Sequence, residues 1–313
     1  MNIKNINHFQ NLEIEDILQI IKKAKEFKEI LNSKDKIKIK ELKSTLELKK
    51  IALCFFEKST RTKLSFEIAA KNLGAELINL EVNSSSIDKG ETTLDTLKVI
   101  AKYGIDAFVI RHGLSGIIEN LEKNINLPII NAGDGIHNHP TQALLDLMTV
   151  IEKICQDDLE KLKNLKLCIV GDILHSRVAK SNIELLSKFG VEINIFAPPT
   201  LFPYYLKIEG IKLMKNWNEV LDYSDVIMML RLQNERMDNG FLPKSSEYHK
   251  YFGINQIIEN RIREKQIFVM HPGPVNYGIE INESLNHYKN NLILDQVENG
   301  VYIRMAVMDY ILN

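Results

Sequence analysis

The sequence predicts an α/β protein of two domains, each a parallel β-sheet flanked by helices. Three observations support this. Short apolar runs rich in β-branched and aromatic residues alternate with longer amphipathic stretches, the rhythm of parallel sheets joined by right-handed crossovers. At 313 residues the chain exceeds the usual size of one hydrophobic core, so it is expected to divide. Between Pro140 and Lys166 the helical stretch "TQALLDLMTVIEKICQ" gives way to the strand-like "NLKLCIVGD", which marks the passage from a first sheet to a second.

In chain order the predicted strands are "IALCFF" (51–56), "ELINL" (76–80), "AFVIR" (107–111), "PIINA" (128–132), "KLCIVGD" (166–172), "VEINIFAP" (191–198), "DVIMML" (225–230), "IFVMHPG" (267–273) and "LILDQV" (292–297). Continuous apolar runs of this length suit strands covered on both faces. After the first of them, Phe66, Ala69, Ala70 and Leu73 fall at i, i+3, i+4 and i+7. That spacing predicts a helix with one buried face, and Gly74 stands where a left-handed cap is cheapest.

The composition narrows the function. With 40 Lys+Arg against 41 Asp+Glu, the formal charge of −1 supplies no general attraction to nucleic acid or membrane. Cys54, Cys155 and Cys168 are odd in number and widely spaced, with no zinc spacing; they read as small core residues in a reducing compartment. The polar start "MNIKNINHFQ" is not a secretory signal and no apolar run approaches about 18 residues, so a soluble cytoplasmic protein is expected.

Polar residues gather at the downstream ends of the strands, where open α/β sheets place their ligands. Ser59-Thr60-Arg61-Thr62 lies at the turn from the first strand into its helix. A helix N-terminus offers unpaired N–H groups and partial positive charge, and hydroxyls with an arginine fork add donors suited to phosphate. Simple capping is the plainer alternative, but it explains one hydroxyl. Further strand ends deliver Arg111-His112, His137-Asn138-His139-Pro140-Thr141-Gln142, Arg177, Arg231 and His271-Pro272-Gly273-Pro274. A lone arginine usually marks solvated surface; several converging describe a pocket for small, highly anionic ligands. His139, at or before a helix N-terminus, would tend to stay neutral and exchange one hydrogen bond with a ligand. His137 and His139 have no third ligand at a diagnostic spacing, which argues against a metal site. "IVGDILHSRVAKS" lacks the three-glycine pattern of a dinucleotide site.

Taken together, "FFEKSTRTKLSFE", "SSSIDKGETTLDT", "IRHG", "HNHPTQALLDL", "GDILHSRVAKS", "RLQNER" and "MHPGPVNYGIEI" stand in the order and approximate spacing of the aspartate carbamoyltransferase catalytic chain. The sequence resembles that family from about residue 5 to its C-terminus. The resemblance implies the aspartate/ornithine carbamoyltransferase fold, with a carbamoyl-phosphate-binding domain over 1–140, a C-terminal helix over 295–313 packing back on it, and an aspartate-binding domain over 141–294. It implies transfer of the carbamoyl group of carbamoyl phosphate to L-aspartate, the committed step of pyrimidine synthesis, without a cofactor or metal. It also implies a cyclic homotrimer with shared sites. Regulatory chains or dihydroorotase are further partners that the resemblance leaves open.

Residue by residue, Ser59, Thr60, Arg61 and Thr62 match the family's phosphate-binding motif, and Arg111 matches an arginine that clasps carbamoyl phosphate. His139 and Gln142 match residues at the carbamoyl group; Arg61, Thr62 and His139 would face the developing oxyanion. Gly273 and Pro274 match positions whose backbone carbonyls face the ligand, which in the family depends on a cis peptide between them. Arg177 and Arg231, with Gln233 beside the latter, match the grip on the aspartate carboxylates. Ser85 and Lys89 match a loop reaching into a neighbouring subunit's site, and residues 234–255 match a mobile loop closing over aspartate. Lys58, Gly113 and Tyr277 stand where the family more often has proline, proline or serine, and arginine; no residue assigned to chemistry is lost.

Two other readings remain. Ornithine carbamoyltransferase shares the phosphate motif, but its site calls for "HCLP" and "HPCQ" where this chain has "HPGP" and "HPTQ". Arg231 would also repel an ornithine ammonium. A non-catalytic anion-binding relative would be expected to have lost Arg61, His139 or Arg231.

Overall fold

The computed structural model describes residues 5–10, 12–80, 91–203, 210–232 and 245–313. Ser85, Lys89, Gln233 and the first part of the expected closing loop, 234–244, lie outside them. In chain order the described elements are α1 (Ile14–Ser33), α2 (Lys36–Leu42), β1 (Lys50–Phe55), α3 (Thr60–Leu73), β2 (Glu76–Leu80), α4 (Thr93–Ala101), β3 (Ala107–His112), α5 (Ile117–Asn124), β4 (Ile129–Asp134) and α6 (Pro140–Lys153). Then come β5 (Lys166–Val170), α7 (Arg177–Lys188), β6 (Glu192–Phe196), β7 (Lys212–Leu213), α8 (Trp217–Tyr223), β8 (Val226–Met229), α9 (Ser245–Phe252), α10 (Gln256–Lys265), β9 (Phe268–Met270) and α11 (Ile293–Leu312). The chain forms two compact units, one of residues 1–145 with 298–313 and the other of 146–297, and it passes between them inside α6 and again inside α11.

The first unit carries a parallel sheet in the order β2-β1-β3-β4. Its central strand β1 is buried from Ile51 to Cys54, as its unbroken apolar run requires. Phe66, Ala69, Ala70 and Leu73 are the buried face of α3, and Gly74 ends the helix at φ 82°. A Cβ there would lie 1.7 Å from the Lys43 carbonyl oxygen, so both conformation and space call for glycine.

In the second unit the parallel sheet runs β7-β6-β5-β8-β9. Val170, Phe196, Trp217, Met229 and Val269 belong to one core cluster, where Trp217 meets Phe196 edge-on at 5.4 Å. The three cysteines are free and buried. Burial pushes the Cys54 thiol up to about 12 and the Cys155 thiol up to about 11, so both remain protonated and inert.

Two readings of the sequence need correction. Residues 292–297 are not a strand: the run opens α11, whose first turn is set by Asn291, its Oδ1 accepting the Ile293 N–H at 3.1 Å. Leu294 and Val297 are exposed while Gln296, Asn299 and Gly300 are buried, so the helical period of a 20-residue segment overrides six residues of apolar composition. Nor is 234–255 a loop over its described part. Ser245–Phe252 is helical because Tyr248 and Phe252, at i and i+4, pack into the unit.

Candidate active site

Each sheet has a topological switch point, the crevice at the carboxyl ends of two neighbouring strands whose outgoing connections diverge. In the first sheet it lies between β1 and β3, in the second between β5 and β8. Residues 59–62 and Arg111 fall at the first and Arg177 and Arg231 at the second, while His139 and Gln142 follow the adjoining strand β4, and Gly273 and Pro274 follow β9.

At the first switch point β1 leads through Glu57 to Ser59, the residue that flanks the N-terminus of α3, with Thr60, Arg61 and Thr62 as the first helical turn. Ser59 does not cap: its hydroxyl makes no bond to the helix amides. First-turn amides have no intrahelical carbonyl to bond, so this terminus keeps its donors and its partial positive charge for an anion. Arg61 and Thr60 are exposed, Ser59 and Thr62 half-buried.

Arg111 emerges from β3 opposite Phe55 of β1. Its guanidinium is fixed on two sides, Nη1 donating to the Ala132 carbonyl at 3.2 Å and Nη2 to Glu57 Oε1 at 3.3 Å. Glu57 was not singled out from sequence, although its place two residues before the hydroxyl cluster is the available signal. Next to Arg111, His112 accepts the Leu114 N–H on Nδ1 at 2.9 Å, which puts the neutral ring's proton on Nε2, 3.3 Å from Thr93 Oγ1. Burial lowers its pKa, while Asp134 and Glu57 partly offset that fall.

His139 and Gln142 are delivered by the turn from β4 into α6. Pro140 opens α6 at a position that needs no amide donor, and the His139 carbonyl accepts from the Gln142 N–H at 3.0 Å. The turn is locked from behind by Asp134, a fully buried carboxylate. It accepts from Gly116 N–H (2.7 Å), Asn138 N–H (3.0 Å) and Asn131 Nδ2 (3.0 Å), and His137 Nδ1 lies 3.1 Å away. His137 is therefore a buttress, and His139, only 4% exposed, is held at the mouth of the helix. Gly135 in this turn has φ 46° and leaves no room for a Cβ, which would stand 2.3 Å from Ser115 Oγ. Asp134 escaped the sequence reading; an acid set between glycines after a buried strand, "AGDG", is the signal that could have found it.

At the second switch point Arg177 is the first residue of α7, buried, behind a Ser176 cap whose Oγ accepts the Ala179 N–H at 3.1 Å. The loop leading to it is folded by buried Asp172, which accepts the His175 N–H at 3.1 Å and has His175 Nδ1 at 3.0 Å. Burial also lowers the Lys180 amine, with Asp172 opposing. Arg231 lies two residues past the end of β8 and is half-buried between buried Leu230 and Leu232.

The β9 end supplies His271-Pro272-Gly273-Pro274, with a cis peptide between Gly273 and Pro274. Gly273 N–H donates to His271 Nδ1 at 2.7 Å. Tyr277, where the family more often has arginine, directs its hydroxyl to Asn286 Oδ1 at 3.0 Å.

Each switch point thus combines arginine with tightly held loops, a chemistry for anions. Comparison with known proteins identifies the family. Residues 4–152 match the model of the aspartate/ornithine carbamoyltransferase carbamoyl-P binding domain, and residues 163–311 that of the Asp/Orn binding domain. The aspartate carbamoyltransferase catalytic subunit of Flavobacterium psychrophilum is 43% identical over 308 residues, 98% of this chain and 96% of that protein. That of Desulfitobacterium hafniense is 45% identical over 97% of this chain and 94% of its own length. Among solved structures, aspartate transcarbamoylase from Trypanosoma cruzi in complex with N-(phosphonacetyl)-L-aspartic acid superposes with a TM-score of 0.85 at 29% identity, over 99% of this chain and 96% of that one. The catalytic subunit of M. jannaschii aspartate transcarbamoylase gives 0.83 at 31% identity, over 99% and 98%. With both domain models matched in order along one chain, this protein belongs to the aspartate/ornithine carbamoyltransferase family, on its aspartate carbamoyltransferase catalytic branch.

Proposed function

We infer that the chain transfers the carbamoyl group of carbamoyl phosphate to the amino group of L-aspartate, giving N-carbamoyl-L-aspartate and phosphate, a step of pyrimidine biosynthesis. One observation carries the reading: a hydroxyl-rich helix terminus and Arg111 stand at one switch point, and Arg177 and Arg231 at the other.

In this reading the α3 terminus, with Ser59, Thr60, Arg61 and Thr62, grips the phosphate, and Arg111 clasps the same substrate. Arg61, Thr62 and His139 stabilise the carbonyl oxygen as the uncharged amine attacks and a tetrahedral oxyanion forms; phosphate then departs with the proton. Gln142 and the carbonyls of Gly273 and Pro274 orient the carbamoyl group. Arg177, Arg231 and Gln233 hold the two carboxylates of aspartate, and Ser85 and Lys89 complete a neighbouring subunit's site in a homotrimer. The apolar exposure of Leu64 and Ile68, one turn apart on α3, supports burial of this helix face against another copy. Free, buried cysteines suit the cytoplasm.

The test is product identity. Purified protein is incubated with carbamoyl phosphate and either L-aspartate or L-ornithine, and carbamoyl-aspartate and citrulline are quantified. Carbamoyl-aspartate alone is expected; citrulline as the main product, or neither product, overturns the reading.

A further inference from the structure

Glu280 lies in "GIEI" and is fully buried. Its carboxylate gathers donors from two segments that the chain separates by about forty residues. Oε1 accepts the Leu232 N–H at 2.8 Å and Asn276 Nδ2 at 2.7 Å. Oε2 accepts the Asn276 N–H at 2.6 Å and faces His271 Nε2 at 3.3 Å. Because His271 Nδ1 receives the Gly273 N–H, the neutral ring carries its proton on Nε2, the nitrogen 3.3 Å from Glu280 Oε2. A buried carboxylate is tolerated where several donors converge on it, and here the donors are parts of the machinery.

We propose that Glu280 is a positioning residue for aspartate binding, fixing Arg231 through the backbone of Leu232. The inference rests on the functional reading above. The β5–β8 ladder gives its last bond from the Leu230 N–H to the Val170 carbonyl, and two residues later the Leu232 N–H turns to Glu280. Arg231 is held between these two anchors. Loss of the second lets the residue that carries the guanidinium swing. The His271–Pro274 segment depends less on Glu280, since the His271 N–H is also held by Gln296 Oε1 at 2.9 Å and the Gly273 N–H by the imidazole. Removing the charge should therefore damage aspartate binding more than carbamoyl phosphate binding.

Glu280→Gln keeps the shape but turns an NH2 group toward donors. The apparent KM for L-aspartate is expected to rise about ten- to a hundredfold, and that for carbamoyl phosphate less than about threefold. In an Arg231→Ala background the same substitution should add little, because its effect is routed through that side chain. Asn276→Ala, which withdraws a single donor, should give a smaller rise in the same direction, and it decides the matter if Glu280→Gln does not fold. Unchanged aspartate KM in the folded variants, equal rises for both substrates, or full additivity with Arg231→Ala each overturn the inference while leaving the reaction intact. A parent protein that forms no carbamoyl-aspartate ends the functional reading and this inference with it.

Discussion

Arg61 is exposed on the first turn of α3, so its side chain can be removed without opening the core. If it stabilises the oxyanion, Arg61→Ala should lower kcat by about 10²–10³-fold, the usual effect of losing one such donor, while the thermal midpoint moves little. Phosphate release measured beside a thermal melt checks both halves; near-parent turnover contradicts the role. Glu122 shows the opposite balance. Burial, chiefly, pushes its carboxyl up to about 7, against the Asn7 Nδ2 bond at 3.3 Å. Its Oε1 is buried with no partner among the described residues. Between the ordinary carboxylate range and about pH 7 the folded state keeps a proton that the unfolded chain has released, so stability declines as pH rises through that window. Glu122→Gln removes the ionisation. Its melting midpoint should gain on the parent between about pH 5 and pH 8, by no more than a few degrees because the group is partly solvated; parallel curves at the two pH values contradict this.

At the scale of elements, Gly74 joins α3 to β2 in a left-handed conformation, against the carbonyl of Lys43. Gly74→Ala places a methyl where a backbone oxygen already stands and requires α3 or the end of α2 to shift. A loss of about 2–4 kcal/mol is expected, read from the denaturation midpoint in urea. This glycine and the α3 face were legible because a helix period and its cap are local properties. The central strands were legible for the same reason: β1, β3, β5 and β8 each hold a continuous run of four buried apolar residues. The run at 292–297 deceived because six apolar-rich residues cannot declare their period alone. β7, two exposed residues, left no pattern to read. The arginines and His139 could be found by their place after strands. Glu57 and Asp134 left only a positional hint and Glu280 none, since a buried acid shows its purpose only when donors distant in sequence are brought to it.

The whole molecule raises the question of assembly. If Lys89 of one chain completes the site of another, activity belongs to neighbours in a ring, and two inactive variants should repair each other. Lys89→Ala and His139→Ala trimers, each nearly silent, are mixed, dissociated and reassembled. A site is sound when one chain supplies His139 and the next supplies Lys89. Random assortment of equal amounts makes about three quarters of the rings mixed, each with one sound site in three, so about a quarter of parental activity should return. Sites contained within single chains would give none at any ratio. The same samples should have the mass of three 36.0 kDa chains, about 108 kDa, in native mass measurement. Recovery of activity in a species of monomer mass would contradict sharing, whereas recovery confined to the ring, at the expected fraction, would tie catalysis to the contact between subunits.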